Sequence, residues 1–241
     1  MEEVKNISLA KMVIMKPSAA AVLERHHLDF CCKGKQTLAD ALADDKELLE
    51  KVNKELEEIF SAKNENASTN FENYSLTELV NHILNKHHKY VKEILPVLYE
   101  HTQKVASKHG ERHPELVKIA ELFAEIKRDF EQHIMKEEGI LFPRIKIIDE
   151  VSQGLRNKTE LNSIDGPVQV MIFEHENAGK LMEEIRILSD NYMSPEGACT
   201  TYRVSFLELQ EFELDLHQHV HLENNILFPK ALEKLQILVG G

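Results

Sequence analysis

The sequence predicts an all-α protein: an antiparallel four-helix bundle preceded by a small helical module. Three observations carry this. Apolar residues recur at the 3.6-residue period through four long stretches. Strand signals are nearly absent: the two ILFP segments are short and lie inside helical periodicity, and so do the alternating His217, His219 and His221. A fifteen-residue pattern occurs twice, as DFEQHIMKEEGILFP at 129–143 and DLHQHVHLENNILFP at 215–229.

The elements follow in order. Residues 1–60 read as the small module. Lys16-Pro17-Ser18 opens a helix, with proline tolerated in its first turn, and Ala19–Leu23 carry it toward His26-His27. LDFCCKGKQT is a loop with two adjacent cysteines. Thr37–Ala43 and Glu47–Phe60 read as two further helices, with Leu38, Leu42, Leu48, Leu49, Val52, Leu56 and Ile59 at helical spacing. Residues 61–74, polar and rich in asparagine and serine, read as a linker. The bundle then fills 75–241. Ser75-Leu76-Thr77-Glu78 is a capping-box pattern at its first helix, about 75–108, which Pro96 should kink. The second helix runs about 115–148, with Phe130, His133, Glu137 and Ile140 on one stripe. A long polar connection, 149–166, leads to the third helix, about 167–190, opened by Pro167. The fourth spans about 198–237, with Phe212, Leu216, His219, Glu223 and Ile226 on one stripe. One long connection among antiparallel helices is a known bundle topology.

Composition narrows the function. The net charge of −12 disfavours nucleic acid and anionic membrane, both of which need basic patches. No apolar run approaches the length of a membrane span. The N-terminal MEEVKNISLAK lacks a signal peptide's basic and apolar regions, and three cysteines do not make a disulfide framework, so a cytoplasmic setting with free thiols is expected. There is no Gly-rich phosphate loop and no organic-substrate motif.

The repeat carries the chemistry. His133 and Glu137, and His219 and Glu223, stand four residues apart, so each pair shares one helix face. Both pairs lie in apolar stripes, where an ionised carboxylate is costly unless paired or metal-bound. Helices one and three should supply more ligands. His175 lies on the buried stripe of helix three; on helix one, periodicity leaves His87 and His88 both open. If both glutamates bridge, two metals share four imidazole nitrogens and four carboxylate oxygens. An oxo or hydroxo bridge then leaves one open position on each. The donors suit iron, with manganese and zinc as alternatives. Asp129 and Asp215, four residues before the repeated histidines, are candidates to accept the second imidazole N–H.

HIMKEEGILFP, HVHLENNILFP, FEHENAGKLM, PEGACTTY and LDFCCKGKQTLADA together closely resemble the Repair of Iron Centers (ScdA/YtfE-type) family, in the broader hemerythrin-like class. The resemblance covers nearly the whole chain. It implies a hemerythrin-like bundle behind an ScdA-type module, and a non-haem, oxo-bridged centre of two iron ions with four histidines and two bridging glutamates. By motif these carry over to His88, His133, Glu137, His175, His219 and Glu223. His88 is chosen over His87 because the family's ligand stands eight residues before the proline. The family also has a histidine matched by His109, near the metal site as an accessory ligand. Cys31 and Cys32 match its adjacent cysteines, candidates for redox or iron transfer, with Lys33 and Lys35 favouring a thiolate. Family members help repair iron–sulfur clusters damaged by nitrosative and oxidative stress. The expected partners are such damaged proteins, with nitric oxide or O2 as small ligands. Self-association into a homodimer is left open. The competing readings are an O2 or nitric-oxide carrier or sensor, and a nitric-oxide reductase.

Overall fold

Four of the helices begin where a side chain satisfies a free backbone N–H: at Ser8, Thr37, Asp45 and Ser75. The computed structural model describes residues 3–61 and 71–240. In the module, α1 (Leu9–Met15) starts at Ser8, whose side chain accepts from the Lys11 N–H. The sequence reading places no element here. The others are α2 (Ala19–Arg25), α3 (Leu38–Ala41) and α4 (Lys46–Ser61). Thr37 and Asp40 close a capping box at α3. His27, left-handed at φ 53°, turns the chain out of α2 into the cysteine loop. The expected linker falls mostly at 62–70, outside the described residues; Phe71–Asn73 form a 3-10 turn.

Ser75 and Glu78 form the predicted capping box at the start of the bundle. Helix α5 comprises Leu76–Ile83, a π-helical turn at Leu84–His88, and Lys89–His109, which continues through Pro96. Helix α6 comprises Glu115–Lys136, a π turn at Glu137–Leu141, and Phe142–Ser152. Helix α7 is an uninterrupted Asp165–Leu188. Helix α8 comprises Thr200–Leu222, a π turn at Glu223–Leu227, and Phe228–Gly240. α5 packs on α6 and α8, and α7 packs on the other side of both, closing the ring. The fold is a hemerythrin-like all-α bundle. No helix among the described residues is long and apolar enough to cross a membrane.

The apolar core is divided in two. One part runs from the module through Val91, Leu95, Phe123, Phe130, Ile134, Met182, Phe212 and Leu216. The other holds Leu76, Leu79, Ile83, Leu141, Phe142, Val168, Met171 and Phe228. Along every bundle helix the boundary falls at a histidine or glutamate: His88, Glu137, His175, and His219 with Glu223. A layer of buried polar side chains therefore crosses the bundle between two hydrophobic halves.

The π turns correct one expectation. Ile140 was placed on the inward stripe, but it is half exposed, while Leu141 and Phe142 are buried. The extra residue in a π turn advances the register by one, so the stripe resumes one position later.

Candidate metal centre

Six side chains meet in the polar layer, all buried: His88, His133, Glu137, His175, His219 and Glu223. They form two four-membered donor sets. His88, Glu137, His219 and Glu223 make one, and His133, Glu137, His175 and Glu223 the other. Both glutamates belong to both sets. The three π turns begin or end on these residues, as such turns often do at functional sites.

The donor atoms converge on common points. His88 Nε2 lies 3.3 Å and His133 Nε2 3.2 Å from Glu137 Oε2. His175 Nε2 lies 3.2 Å from Glu223 Oε2, and His219 Nε2 3.1 Å from Glu223 Oε1. The ring nitrogens of His133 and His175 face each other at 3.0 Å. With metal–ligand bonds of ~2.1 Å, adjacent donors of an octahedron stand about 3.0 Å apart and those of a tetrahedron about 3.4 Å. The observed spacings fit shared coordination spheres. Both Glu137 oxygens, His88 Nε2 and Glu223 Oε2 are buried without a hydrogen-bond partner. Leaving such atoms unpaired costs about 1–3 kcal/mol each, and more when charged. A cation between them removes that cost, so the residues fit a metal.

Outside this cluster, three histidines are held by a second group at Nδ1. His88 Nδ1 lies 2.8 Å from Glu138 Oε1, His133 Nδ1 3.0 Å from Glu174 Oε2, and His175 Nδ1 2.9 Å from Asn224 Oδ1. In each case Nδ1 faces an oxygen acceptor and Nε2 faces inward, and in the neutral ring the N–H on Nδ1 leaves the Nε2 lone pair for a metal. Lys136 also bonds Glu174. His219 Nδ1 has no hydrogen-bond partner. Burial lowers His133 toward neutrality, but Glu137 and Glu174 outweigh it and raise it to about 10. Burial and the Glu223 charge oppose ionisation of Glu137; His133 and His88 outweigh both and hold it below the usual carboxylate range.

Several expected residues lie elsewhere. Asp215 accepts from His87, not from His219: His87 Nδ1 stands 2.8 Å from Asp215 Oδ1. His87 is also buried, stacked on His219 with ring centroids 5.4 Å apart, and belongs to neither donor set. Asp129 points to solvent beside Arg128. One helical turn back from an inward histidine does not ensure an inward aspartate, because the stripe drifts around the helix. His109 stands at the far end of α5, 21 residues or about 30 Å from His88 at ~1.5 Å per residue. It is not near the cluster; its Nε2 lies 3.3 Å from Cys199 Sγ.

The sequence reading missed Glu138, Asn224 and Glu174. A signal existed, since Glu138 and Asn224 are the residues directly after the glutamates of the two repeats. The alternation at 217, 219 and 221 also resolves on the helix. His219 turns inward, while His217 bonds Glu24 at 2.9 Å and His221 packs on Phe30, both on the face toward the module.

Cys31 and Cys32 are free thiols with sulfurs 3.8 Å apart. Contrary to the thiolate expectation, the hydrogen bond with Cys32 and burial push the Cys31 thiol well above its usual range. Lys33 and Lys35 are exposed and do not offset this.

Residues 79–231 match the family model for the hemerythrin HHE cation binding domain. Residues 5–59 match the ScdA N-terminal domain, a domain of unknown function (DUF542). The chain is 36% identical to the iron-sulfur cluster repair protein YtfE of Yersinia pseudotuberculosis, over 95% of this chain and 97% of that one. The chain belongs to the YtfE family of hemerythrin-like proteins. YtfE of Yersinia pestis is 35% identical with the same coverage, and a probable iron-sulfur cluster repair protein of Haemophilus influenzae is 33% identical over 94% of this chain and 96% of its own. The bundle of this YtfE-family chain is therefore a cation-binding domain, with its buried histidines and glutamates as the group suited to iron.

Proposed function

We propose that this protein helps repair iron–sulfur clusters damaged by nitrosative and oxidative stress, through a non-haem di-iron centre. The single observation that supports this most is the pair of adjoining four-residue donor sets that share Glu137 and Glu223. Two sets with two common carboxylates suit two ions bridged by both glutamates. In this reading His88, Glu137, His219 and Glu223 would hold one iron, and His133, Glu137, His175 and Glu223 the other. Iron bound there supplies a labile ion for donation and open positions for nitric oxide or O2.

The chain's own residues do the rest. Glu138, Glu174 and Asn224 fix the tautomer and ring orientation of three ligand histidines. The hydrophobic layers above and below keep bulk water from the donors. A cavity of about 360 Å³ between α6 and α7, lined by Phe130, His133, Phe173, Glu174, Ala178 and Leu181, reaches one ligand histidine. That opening suits entry of a diatomic ligand and favours nitric-oxide handling alongside iron donation. Residues 1–60 act as the N-terminal domain, with Cys31 and Cys32 as thiols for redox or iron transfer. Free thiols suit a reducing cytoplasm.

The test has two parts. Purified protein should hold two irons per chain with an oxo-bridged ferric spectrum, and should restore activity to an iron–sulfur enzyme damaged by nitric oxide. Glu137→Ala combined with Glu223→Ala should abolish both. Wild-type protein without iron, or full iron in the double variant, would refute the assignment. A nitrous oxide assay separates reduction of nitric oxide from iron donation.

A further inference from the structure

The cysteine loop is built by one carboxylate. Asp29 Oδ1 accepts from the backbone N–H of Cys31 at 3.0 Å and of Cys32 at 2.8 Å, and lies 3.1 Å from Cys31 Sγ. The Asp29 carboxylate thus holds the backbone of both cysteines and the thiol of Cys31. The three donors lie within 4.8 Å of one another. The sulfurs stand 3.8 Å apart, against the ~2.05 Å of a disulfide. At a metal–sulfur bond of ~2.3 Å, two thiolates on a tetrahedral ion stand about 3.8 Å apart. The thiols are therefore spaced as a chelating pair.

The loop faces space. A cavity of about 750 Å³ between the N-terminal module and the bundle is lined by Asp29, Cys31 and Cys32, with Lys33, Lys180 and His217 among the other walls. The sulfur of Cys32 lies against Gly179 of α7, which keeps the wall there free of side chain. From the far side, Asn225 Nδ2 donates to the backbone oxygens of Phe30 at 3.3 Å and of Cys31 at 3.0 Å. Asn225 sits two residues beyond Glu223, in the same π turn. One short segment of α8 therefore contributes to the buried centre and holds the thiol loop.

We propose that Asp29, Cys31 and Cys32 form a second metal site, which binds one thiophilic divalent cation with two sulfurs and one oxygen and takes its fourth ligand from the cavity. Binding releases the two thiol protons to solvent. Two thiolates and a carboxylate leave a divalent ion with a net charge of −1, and Lys33 and Lys180 stand among the walls of the cavity. The site stands on its own geometry. Only its use as a relay for iron passing to or from the buried centre rests on the function proposed above.

Cobalt(II) tests it. The buried centre carries no sulfur, so a thiolate-to-cobalt charge-transfer band reports the cysteines alone. Iron-loaded full-length protein, reduced and anaerobic, should take up one further cobalt(II) per chain with that band. Cys31→Ser and Cys32→Ser should each weaken it by half or more and together remove it, and Asp29→Asn should weaken cobalt binding tenfold or more while the band persists. Cys199→Ser should change nothing. Circular dichroism checks that each variant keeps its helicity, and the half-buried Cys32 is the safer substitution. The proposal is overturned if wild-type protein shows no band, if the band survives in the double serine variant, or if Cys199→Ser removes it. Failure of the buried di-iron reading would appear separately, as wild-type protein lacking iron while the cobalt band persists.

Discussion

The histidines proposed as ligands depend on their neighbours as much as on their own positions. Glu174 shows this most clearly. Its bond to His133, reinforced by Lys136 against the opposing effect of burial, holds its carboxyl at about 2. It is therefore a carboxylate at any physiological pH and a constant acceptor for the His133 Nδ1–H. Losing such an outer partner weakens metal binding by about 10–100-fold. Glu174→Ala should lower iron affinity by that factor in a chelator competition assay, whereas Asp129→Ala should leave it unchanged. Equal effects from the two would show that His133 is oriented by something other than Glu174. This pair also marks what could be read from the residues alone. The glutamates and two histidines were legible because the pattern is doubled within one chain. Their Nδ1 partners were not, because all three of the bonds described for them cross between helices whose rotation no local spacing fixes.

At the scale of elements, the π turns explain where periodicity succeeded and where it failed. All four bundle helices were legible, with ends within a few residues, because the apolar period persists over several turns. The extra residue in each of three turns was invisible, since a single insertion leaves the period intact on either side. Its trace is the exposed Ile140 where the stripe predicts a buried residue. Removing that residue tests the turn. Deletion of Ile140 should convert Glu137–Leu141 to regular α-helix and keep Leu141, Phe142 and Ile145 in the core. It should also rotate Glu137 away from its partners. The expected outcome is unchanged helicity and an undiminished Tm with iron content below half of wild type; a collapse of Tm would show that the turn is needed for folding. The helix ends obey simpler rules. Buried Asp149 on α6 accepts from the Thr77 N–H at the start of α5 at 3.1 Å and from Lys234 on α8 at 3.0 Å. Burial works against its charge, but Lys234 and Thr77 hold its carboxyl below the ordinary value. A depressed carboxyl stabilises the fold fully above its unfolded pKa of about 3.9, and the contribution disappears as pH falls through the lower folded value. Lys234→Met should cost about 1–3 kcal/mol in urea unfolding at pH 7. The gap from wild type should shrink below about pH 4. A gap independent of pH would place the effect of Lys234 elsewhere than on Asp149.

Across the whole molecule, the module and the bundle share one apolar core. The cluster that holds Met12, Leu23, Phe30, Leu38 and Leu56 continues into Val91, Phe123, Phe212 and Leu216. Phe30 is the pivot, buried at 1% exposure with its ring edge-on to His221 at 5.4 Å and to His217 at 6.2 Å. The sequence reading separates two domains at the polar stretch after residue 60, but no local pattern reports that two cores will merge. The merger matters for function, because Phe30 precedes the two thiols and Asn225 fixes the backbone of both Phe30 and Cys31 to the turn after Glu223. A shared core predicts that module and bundle unfold together, in one calorimetric transition. Phe30→Ala should then cost about 3–5 kcal/mol. At ~2–4 °C per kcal/mol for a chain of this size, the single transition should move down by roughly 6–20 °C. Iron content at 20 °C should stay at the wild-type level, since the ring partners of Phe30 are His217 and His221, which belong to neither donor set. If Phe30→Ala instead leaves the main transition in place and splits off a smaller, earlier one, the module is an independent unit that docks on the bundle. The thiol loop would then be free to leave the face of α8.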